Sequence, residues 1–321
     1  MSEIIFNPNS MSIEKEAERL INEGFSIIPV NNLKIPMCQT YDVYKPYSLE
    51  EFMSYGPEAI GLLMGGPKKL TAIDFDLKYD LTGTLFQRYK EEIDFNLLSR
   101  MQVHSTKNRG IHFIFSCDVT ESSQVLAQRE TTDEEVKLTL FEDLSKGKTF
   151  KEATRHSAND QARVLIETRG EGGYIVWPPS FGYKYLYGSI NKFSFSEYES
   201  IMELSRSFNE FTLPVKRVKF LGDDEEDFIE KFNKENSGLE ILQSYGWSIT
   251  SKRGKDVRLR RPGHTDAKDS GVFDTETNTF NVYTTSTAFR TREGYKPADI
   301  VALLQYSNNY KKMYAELIEK S

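Results

Sequence analysis

Apolar residues recur at two spacings along this chain, and the elements change where the spacing changes. Ile13, Ala17, Leu20 and Ile21 fall on one face of a helix, so residues 12–23 read as amphipathic. Ser12 is a natural N-cap, Glu14 and Glu16 suit the first turn, and Gly24 closes the helix. A short apolar run at 25–30 then reads as a strand. Ser48-Leu49-Glu50-Glu51 is a capping box that opens a short helix through Phe52. Residues 60–64 form a second strand, closed by Gly65-Gly66-Pro67. A third run, Leu70-Thr71-Ala72-Ile73-Asp74-Phe75-Asp76, reads as a buried strand that ends in two carboxylates.

Helical spacing returns at 82–100 through Leu85, Phe86, Tyr89, Ile93 and Leu97, which predicts one helix. Residues 103–106 and 111–115 predict a hairpin with a polar, basic tip, Lys107-Asn108-Arg109-Gly110. Residues 118–161 are polar and helix-rich and read as an insertion. Strands follow at 163–170 and 174–180, joined by Glu171-Gly172-Gly173, and Pro178-Pro179 stops the second. A helix is predicted at 195–207. Beyond it, Lys216, Arg217 and Lys219 precede an acidic run at 223–227, and 208–236 reads as solvated linker. Order returns at 237–321 with a short helix, two hairpins, a helix started by Pro297 and a last helix carrying Tyr310, Met313, Tyr314 and Leu317. The expected organisation is a domain over 1–208, a linker over 209–236 and a small domain over 237–321.

Composition narrows the class. The 321 residues suffice for two domains, and 17 Tyr and 21 Phe supply ample core. No apolar run approaches a membrane span. The start of the chain, with Glu3, Asn7 and Asn9, lacks the basic-then-apolar order of a signal peptide. Cys38 and Cys117 have no metal-ligand spacing, and a reducing cytoplasm is the expected compartment. A net charge of −7 argues against coating nucleic acid with the whole surface, but leaves a local basic groove open.

The candidate chemistry starts at the third strand. Side chains alternate, so Asp74 and Asp76 share a face about 7 Å apart. Such a pair repels unless a cation lies between, and hard divalent ions take carboxylates together with substrate phosphates. The pair is a candidate metal site for phosphoryl chemistry; two solvated acids at a strand end are the plain alternative. The hairpin tip offers backbone N–H groups, hydroxyls and cations, which suits phosphate, whereas the plain alternative is a turn with solvated charges. His112 is a ligand candidate or a packed core residue. Glu167 is a third carboxylate or the partner of Arg169 on its own strand face. Lys34 is a lone loop cation. Gly147-Lys148-Thr149 ends like a P-loop, but Glu142 stands where its first glycine is required, which excludes that motif. Lys252, Arg253, Lys255, Arg258, Arg260 and Arg261 form the most basic stretch. Arg258 and Arg260 share a strand face there, either as contacts to a phosphate backbone or as solvated arginines.

Three motifs in order resemble the primase–polymerase family of the archaeo-eukaryotic primase superfamily. They are Asp74-Phe75-Asp76; Ser105-Thr106-Lys107-Asn108-Arg109-Gly110-Ile111-His112; and Glu167-Thr168-Arg169-Gly170 with Gly172-Gly173-Tyr174 and Pro178-Pro179-Ser180. Gly24-Phe25 through Lys34-Ile35-Pro36 is similar to the family's opening, and the resemblance covers about 1–208. It implies an α+β fold in which an RRM-like catalytic core packs on an N-terminal α/β module, with a small C-terminal α/β accessory domain behind it. It implies primer synthesis from nucleoside triphosphates on single-stranded DNA, followed by extension. It also implies two Mg²⁺ or Mn²⁺ ions on Asp74, Asp76 and Glu167, one activating the primer 3′-hydroxyl and one bridging the triphosphate. Ser105, Thr106, Lys107, Arg109 and His112 would cradle that triphosphate. Arg169 would reach the same phosphates or orient Glu167, and Lys34 is a further candidate. The family usually has Asp as its third acid, so Glu167 departs in arm length but keeps the charge.

The tail is similar to the zinc-ribbon domain of bacterial primases at Arg261-Pro262-Gly263-His264 and Gly294-Tyr295-Lys296-Pro297. No cysteine follows Cys117, so no thiolate zinc site is expected there, and the segment reads as a metal-free accessory domain for template or primer. No helicase motif is present, so unwinding is expected from a replicative helicase in trans or from a further portion of the chain. The resemblance points to phage or plasmid replication. Two rival readings are a metal-dependent nuclease using the same acids and a non-catalytic, replication-associated DNA-binding module.

Overall fold

A computed structural model describes residue 9 and residues 11–158, 160–214, 223–263, 269–285, 287–291 and 293–318. The chain divides into two compact units, Met1–Ile201 and Met202–Ser321.

In the first unit the chain runs α1 (Ile13–Asn22), β1 (Ile27–Val30), α2 (Leu49–Ser54), β2 (Ala59–Leu63), β3 (Leu70–Phe75), α3 (Leu85–Glu92), α4 (Phe95–Ser99), β4 (Gln102–Ser105) and β5 (Ile111–Cys117). It continues through β6 (Val125–Glu130), α5 (Asp133–Ser145), α6 (Phe150–Ala158), β7 (Ala162–Arg169), β8 (Tyr174–Trp177), β9 (Lys184–Tyr187), β10 (Lys192–Phe193) and α7 (Phe195–Ser207), which crosses into the second unit. Ser12 caps α1 by accepting from the Lys15 N–H, and the Ser48–Glu51 capping box opens α2.

Two sheets form in this unit. The smaller has the order β1-β2-β8 and the larger β6-β7-β3-β5-β4-β9, with β10 added alongside β5. Strand neighbours are antiparallel except β10, which is parallel to β5. Register fixes the two faces of the larger sheet. Ala72 lies opposite Ile114 and Leu70 opposite Ser116. Leu70, Ala72 and Ile114 pack with Ala17 and Leu20 of α1, Phe52 of α2, Ile60 and Leu62 of β2, and Ile175 and Trp177 of β8. On the other face Phe75 meets Phe86 and Tyr89 of α3 edge-on. The first face is thus covered by the small sheet up to Ala72, and two residues later it carries Asp74.

Two expectations are corrected here. The helix expected over 82–100 is two, because Ile93 leaves the helical backbone region and the Asp94 side chain caps α4 by accepting from the Asn96 N–H. The insertion expected over 118–161 contributes β6, an edge strand of the main sheet on β7. The Lys148 of its Gly-Lys-Thr triplet pairs with Asp143 at 2.9 Å, and Thr149 accepts from the Glu152 N–H.

The second unit holds the end of α7, β11 (Leu213–Pro214), α8 (Asp223–Glu235), α9 (Gly238–Ser244), β12 (Ser248–Arg253), β13 (Asp256–Arg260), β14 (Gly271–Asp274), β15 (Thr279–Val282), β16 (Glu293–Tyr295), α10 (Pro297–Tyr306) and α11 (Tyr310–Ile318). Part of the segment expected as linker is helix, α8. Ile229 of α8 is buried with Ala298 and Val301 of α10 and Met313 of α11. Lys216, Arg217, Lys219 and His264 lie outside the described residues. The sheet has the order β11-β16-β15-β14-β13-β12. Val257, Leu259, Phe273 and Phe280 pack against Leu242 of α9 and Ile300 of α10. Among the described residues, no helix is long and apolar enough to cross a membrane.

Candidate active site

Antiparallel register brings the predicted side chains together. Asp74 on β3 lies directly opposite His112 on β5 and Glu167 on β7. His112 is in turn opposite His104 on β4. Directly opposed residues share a face with Cβ atoms about 5 Å apart, so Glu167, Asp74, His112 and His104 form one transverse row. The Asp76 N–H donates to the Leu165 carbonyl at 2.9 Å, which continues the β3–β7 pairing and carries Asp76 to the same side.

The row is electrically uneven. His112 Nε2 lies 3.5 Å from Asp74 Oδ1, and Arg169 Nη2 lies 3.9 Å from Asp74 Oδ2. Burial pushes the Asp74 pKa up, but His112, Arg169 and Lys34 outweigh it and hold the group below its ordinary value. Asp76 goes the other way. Burial first, and the charge of Asp74 second, raise its pKa against Lys78 and Lys34. Glu167 is also raised, by burial and by Asp74 and Asp76, although Arg169 opposes the shift. The Arg169 guanidinium is 2.5 Å from Glu167 Oε1. Glu167 therefore stands in the acid row and pairs with Arg169, as its plain alternative expects.

The hairpin tip is pressed against the end of β3. The Thr106 N–H donates to the Gly110 carbonyl at 2.9 Å, and the Gly110 N–H donates to Thr106 Oγ1 at 3.0 Å. A Cβ on Gly110 would sit 2.4 Å from the Phe75 carbonyl oxygen, so only glycine allows this approach. Lys107 and Arg109 are exposed at the tip, and Lys107 Nζ donates to the Asn32 carbonyl at 3.4 Å. Lys34 sits in the loop that follows β1. There Asn31 Oδ1 accepts from the Leu33 and Ile35 N–H groups, and Tyr174 Oη donates to the Lys34 carbonyl at 2.6 Å. Ser105 lies opposite Ile111, on the face of Phe75 and away from the carboxylates.

Three neighbours were not expected. Lys78 Nζ lies 3.6 Å from Asp76. Tyr183 is buried with its ring 6.0 Å from that of His112, and Lys34 Nζ is 5.6 Å from the Tyr183 ring centre. His104 is fully buried edge-on to Trp177, and burial, with His112 adding to it, drives its pKa well down. The observed hairpin pairing places His104 across from His112; nothing local announces Tyr183.

In the second unit, Arg258 and Arg260 alternate with buried Val257 and Leu259 and share the opposite face. Lys255 pairs with Asp274 at 3.0 Å and Arg258 with Asp269 at 3.2 Å. Arg261 donates to Thr284 Oγ1 at 3.1 Å. Lys252 and Arg253 are exposed at the end of β12. Among the described residues, Arg260 Nε has no hydrogen-bond partner.

Among the described residues, no three His, Cys, Asp or Glu side chains are grouped closely enough to hold a metal. The donor chemistry is nonetheless that of a hard cation: Asp74 and Asp76 are neighbouring oxygen donors that repel each other. Glu167 is the third such donor and is committed to Arg169. A family profile described as "Bifunctional DNA primase/polymerase, N-terminal" matches residues 17–197, a span that contains the whole acid row. A search of curated proteins finds no match.

Proposed function

The chain belongs to the Prim-Pol family of bifunctional DNA primases/polymerases, and from that premise we propose a template-dependent enzyme that builds primers from nucleoside triphosphates on single-stranded DNA and extends them. The observation that carries the reading is the register that sets Glu167, Asp74 and His112 side by side with Asp76 next to them. The order β7-β3-β5-β4, with helices between β3 and β4 and between β5 and β7, supports an RRM-like core.

In this reading Asp74 and Asp76 would hold divalent Mg²⁺ or Mn²⁺, with Glu167 as the third oxygen donor once Arg169 releases it. Bound ions of this kind lower the pKa of a primer 3′-hydroxyl and neutralise a leaving pyrophosphate. The chain's own contribution is position and charge. His112 fixes Asp74, and Lys34, Lys107, Arg109 and Arg169 are the cations that meet the phosphates. Thr106 holds the hairpin tip through Gly110 rather than meeting substrate. Ser105 acts through its backbone, because its hydroxyl is on the other face. In the second unit, Lys252, Arg253 and Arg260 are the cations best placed to meet template phosphates, since Lys255 and Arg258 already face acids. A helicase partner supplies unwinding.

The test is primer synthesis on single-stranded DNA with labelled ribo- and deoxynucleoside triphosphates and Mg²⁺ or Mn²⁺, beside Asp74→Ala/Asp76→Ala. Labelled oligonucleotides from the wild type alone are the expected result. Template shortening without synthesis would replace the polymerase with a nuclease. DNA binding that survives loss of both acids, with neither product formed, would leave a binding module.

A further inference from the structure

One side chain beside this site has no role in the chemistry above and is held in an unusual way. Phe181 is 73% exposed, yet the residues that frame it are fixed. Ser180 is buried and its Oγ accepts from the Ile60 N–H at 2.9 Å. Tyr183 is buried against His112, and its N–H donates to the Ser180 carbonyl at 2.9 Å. Gly182 has φ +84°, and a Cβ there would meet the Lys107 backbone and stem at 2.8–3.0 Å. The turn is therefore locked to both the sheet and the hairpin tip while it presents an aromatic ring to solvent. Lys107 Nζ stands 5.3 Å from the centre of that ring. A ring held outward on a fixed turn, with the Lys107 ammonium beside it, offers a flat apolar surface and a positive charge together.

We propose that Phe181 is a ledge on which a nucleobase stacks, with Lys107 meeting the phosphate attached to it. The inference rests on the polymerase reading, because a ligand that is both flat and anionic is what that reading brings here. Every base has a π-face, so such a ledge gives affinity without sequence preference. Lys107 adds charge beside the ring, and its second contact, to Asn32, ties the ledge to the loop that carries Lys34. The base belongs either to the template strand or to the incoming nucleotide.

The experiment uses the full chain as Phe181→Ala, Phe181→Leu and Phe181→Trp. One arm measures anisotropy of a fluorescein-labelled single-stranded DNA 20-mer without nucleotide. The other measures calorimetric binding of dGTP with Mg²⁺ without DNA. Stacking on an aromatic ring predicts that Phe181→Ala weakens one arm roughly five- to a hundredfold. Phe181→Trp restores it and Phe181→Leu does not. Loss in the DNA arm assigns the ledge to template, and loss in the dGTP arm assigns it to the incoming nucleotide. Both arms unchanged within twofold, or leucine rescuing as well as tryptophan, overturns the ledge while primer synthesis by the wild type still upholds the enzyme. A wild type that binds neither probe overturns both.

Discussion

Replacing Asp76 by asparagine should make the metal-free protein more stable while it destroys synthesis. Asp76 stands two residues along the strand from Asp74, on the same side, and both burial and that neighbouring charge push its pKa up. Two unit charges about 7 Å apart repel by ~0.6 kcal/mol in water and by ~2.4 kcal/mol at an effective dielectric of about 20. The pairing with Lys78 at 3.6 Å is partly exposed and returns at most ~1 kcal/mol. Asparagine keeps the shape and removes both terms, so the net gain is about 1 kcal/mol, or roughly 2–4 °C in a unit of this size. The pH dependence follows from the direction of the shift. A carboxyl whose folded pKa lies above its unfolded value favours the fold below the unfolded pKa. That contribution is lost as pH rises through the folded pKa, so the wild type carries the full penalty at neutral pH. Differential scanning calorimetry in EDTA should therefore show the variant ahead at pH 7.5, with the gap closing near pH 4. A variant less stable than wild type at pH 7.5, or a gap that ignores pH, would refute the claim that these acids repel each other. The same variant should lose primer synthesis by at least about a hundredfold.

Arg169→Ala should act in the opposite sense, because it strips the half-buried Glu167 of its 2.5 Å partner. A loss of about 1–3 kcal/mol in urea titrations and a raised KM for nucleotide are expected; unchanged stability would show that the pair is idle. Gly110→Ala removes no polar group, yet its methyl would lie 2.4 Å from the Phe75 carbonyl and 2.7 Å from Thr106 Oγ1. It should cost about 1–3 kcal/mol and lower synthesis by displacing the hairpin tip, and an active, fully stable variant would dissociate the tip from the site. Arg260→Ala and Arg253→Ala, which share the face opposite Val257 and Leu259, should weaken single-stranded DNA binding and flatten its salt dependence by about 0.7 per lost phosphate contact. A salt slope equal to wild type would remove this strand face from the DNA path.

The acid pair and the hairpin were legible because period-two alternation and a polar, glycine-containing tip are local properties. Register across strands is less visible. The bounds 103–106 and 111–115 would set His104 opposite Phe113; the hairpin instead closes between Thr106 and Gly110, which sets His104 opposite His112 and turns Ser105 the other way. A motif taken as a string of residues hides that, since it lists both faces together. The break after α3 was masked because Leu97 continues the helical spacing beyond Ile93, while the cap that restarts the helix is a single aspartate. Helix α8 was masked by its own charges: Phe228, Ile229 and Phe232 have helical spacing, but they follow an acidic run that reads as solvated chain. Tyr183 carries no signal at all. It reaches His112 only because the turn after β8 folds back along the larger sheet, and that is decided by packing between sheets rather than by anything near residue 183.

The placement of the acids also follows from how the two sheets share one face. Ala72, Ile114 and Arg169 form one transverse row, and Asp74, His112 and Glu167 form the next. The first row is floored by the small sheet, with Ala72 and Ile114 fully buried; the second is where that cover ends. Water is therefore excluded from one side of the carboxylates and not from the other, which strengthens every charge interaction in the row without sealing it. Arg169 belongs to the covered row by its backbone and to the open row by its guanidinium, which reaches forward to Glu167 and Asp74. The small side chain of Ala72, directly across from it, leaves its stem free to lie along the sheet. In the proposed reading, a partly exposed guanidinium that reaches both acids from a backbone position in the covered row neutralises them before substrate arrives and turns to phosphate afterwards. A surface arginine, with no fixed stem, would do neither at a defined distance.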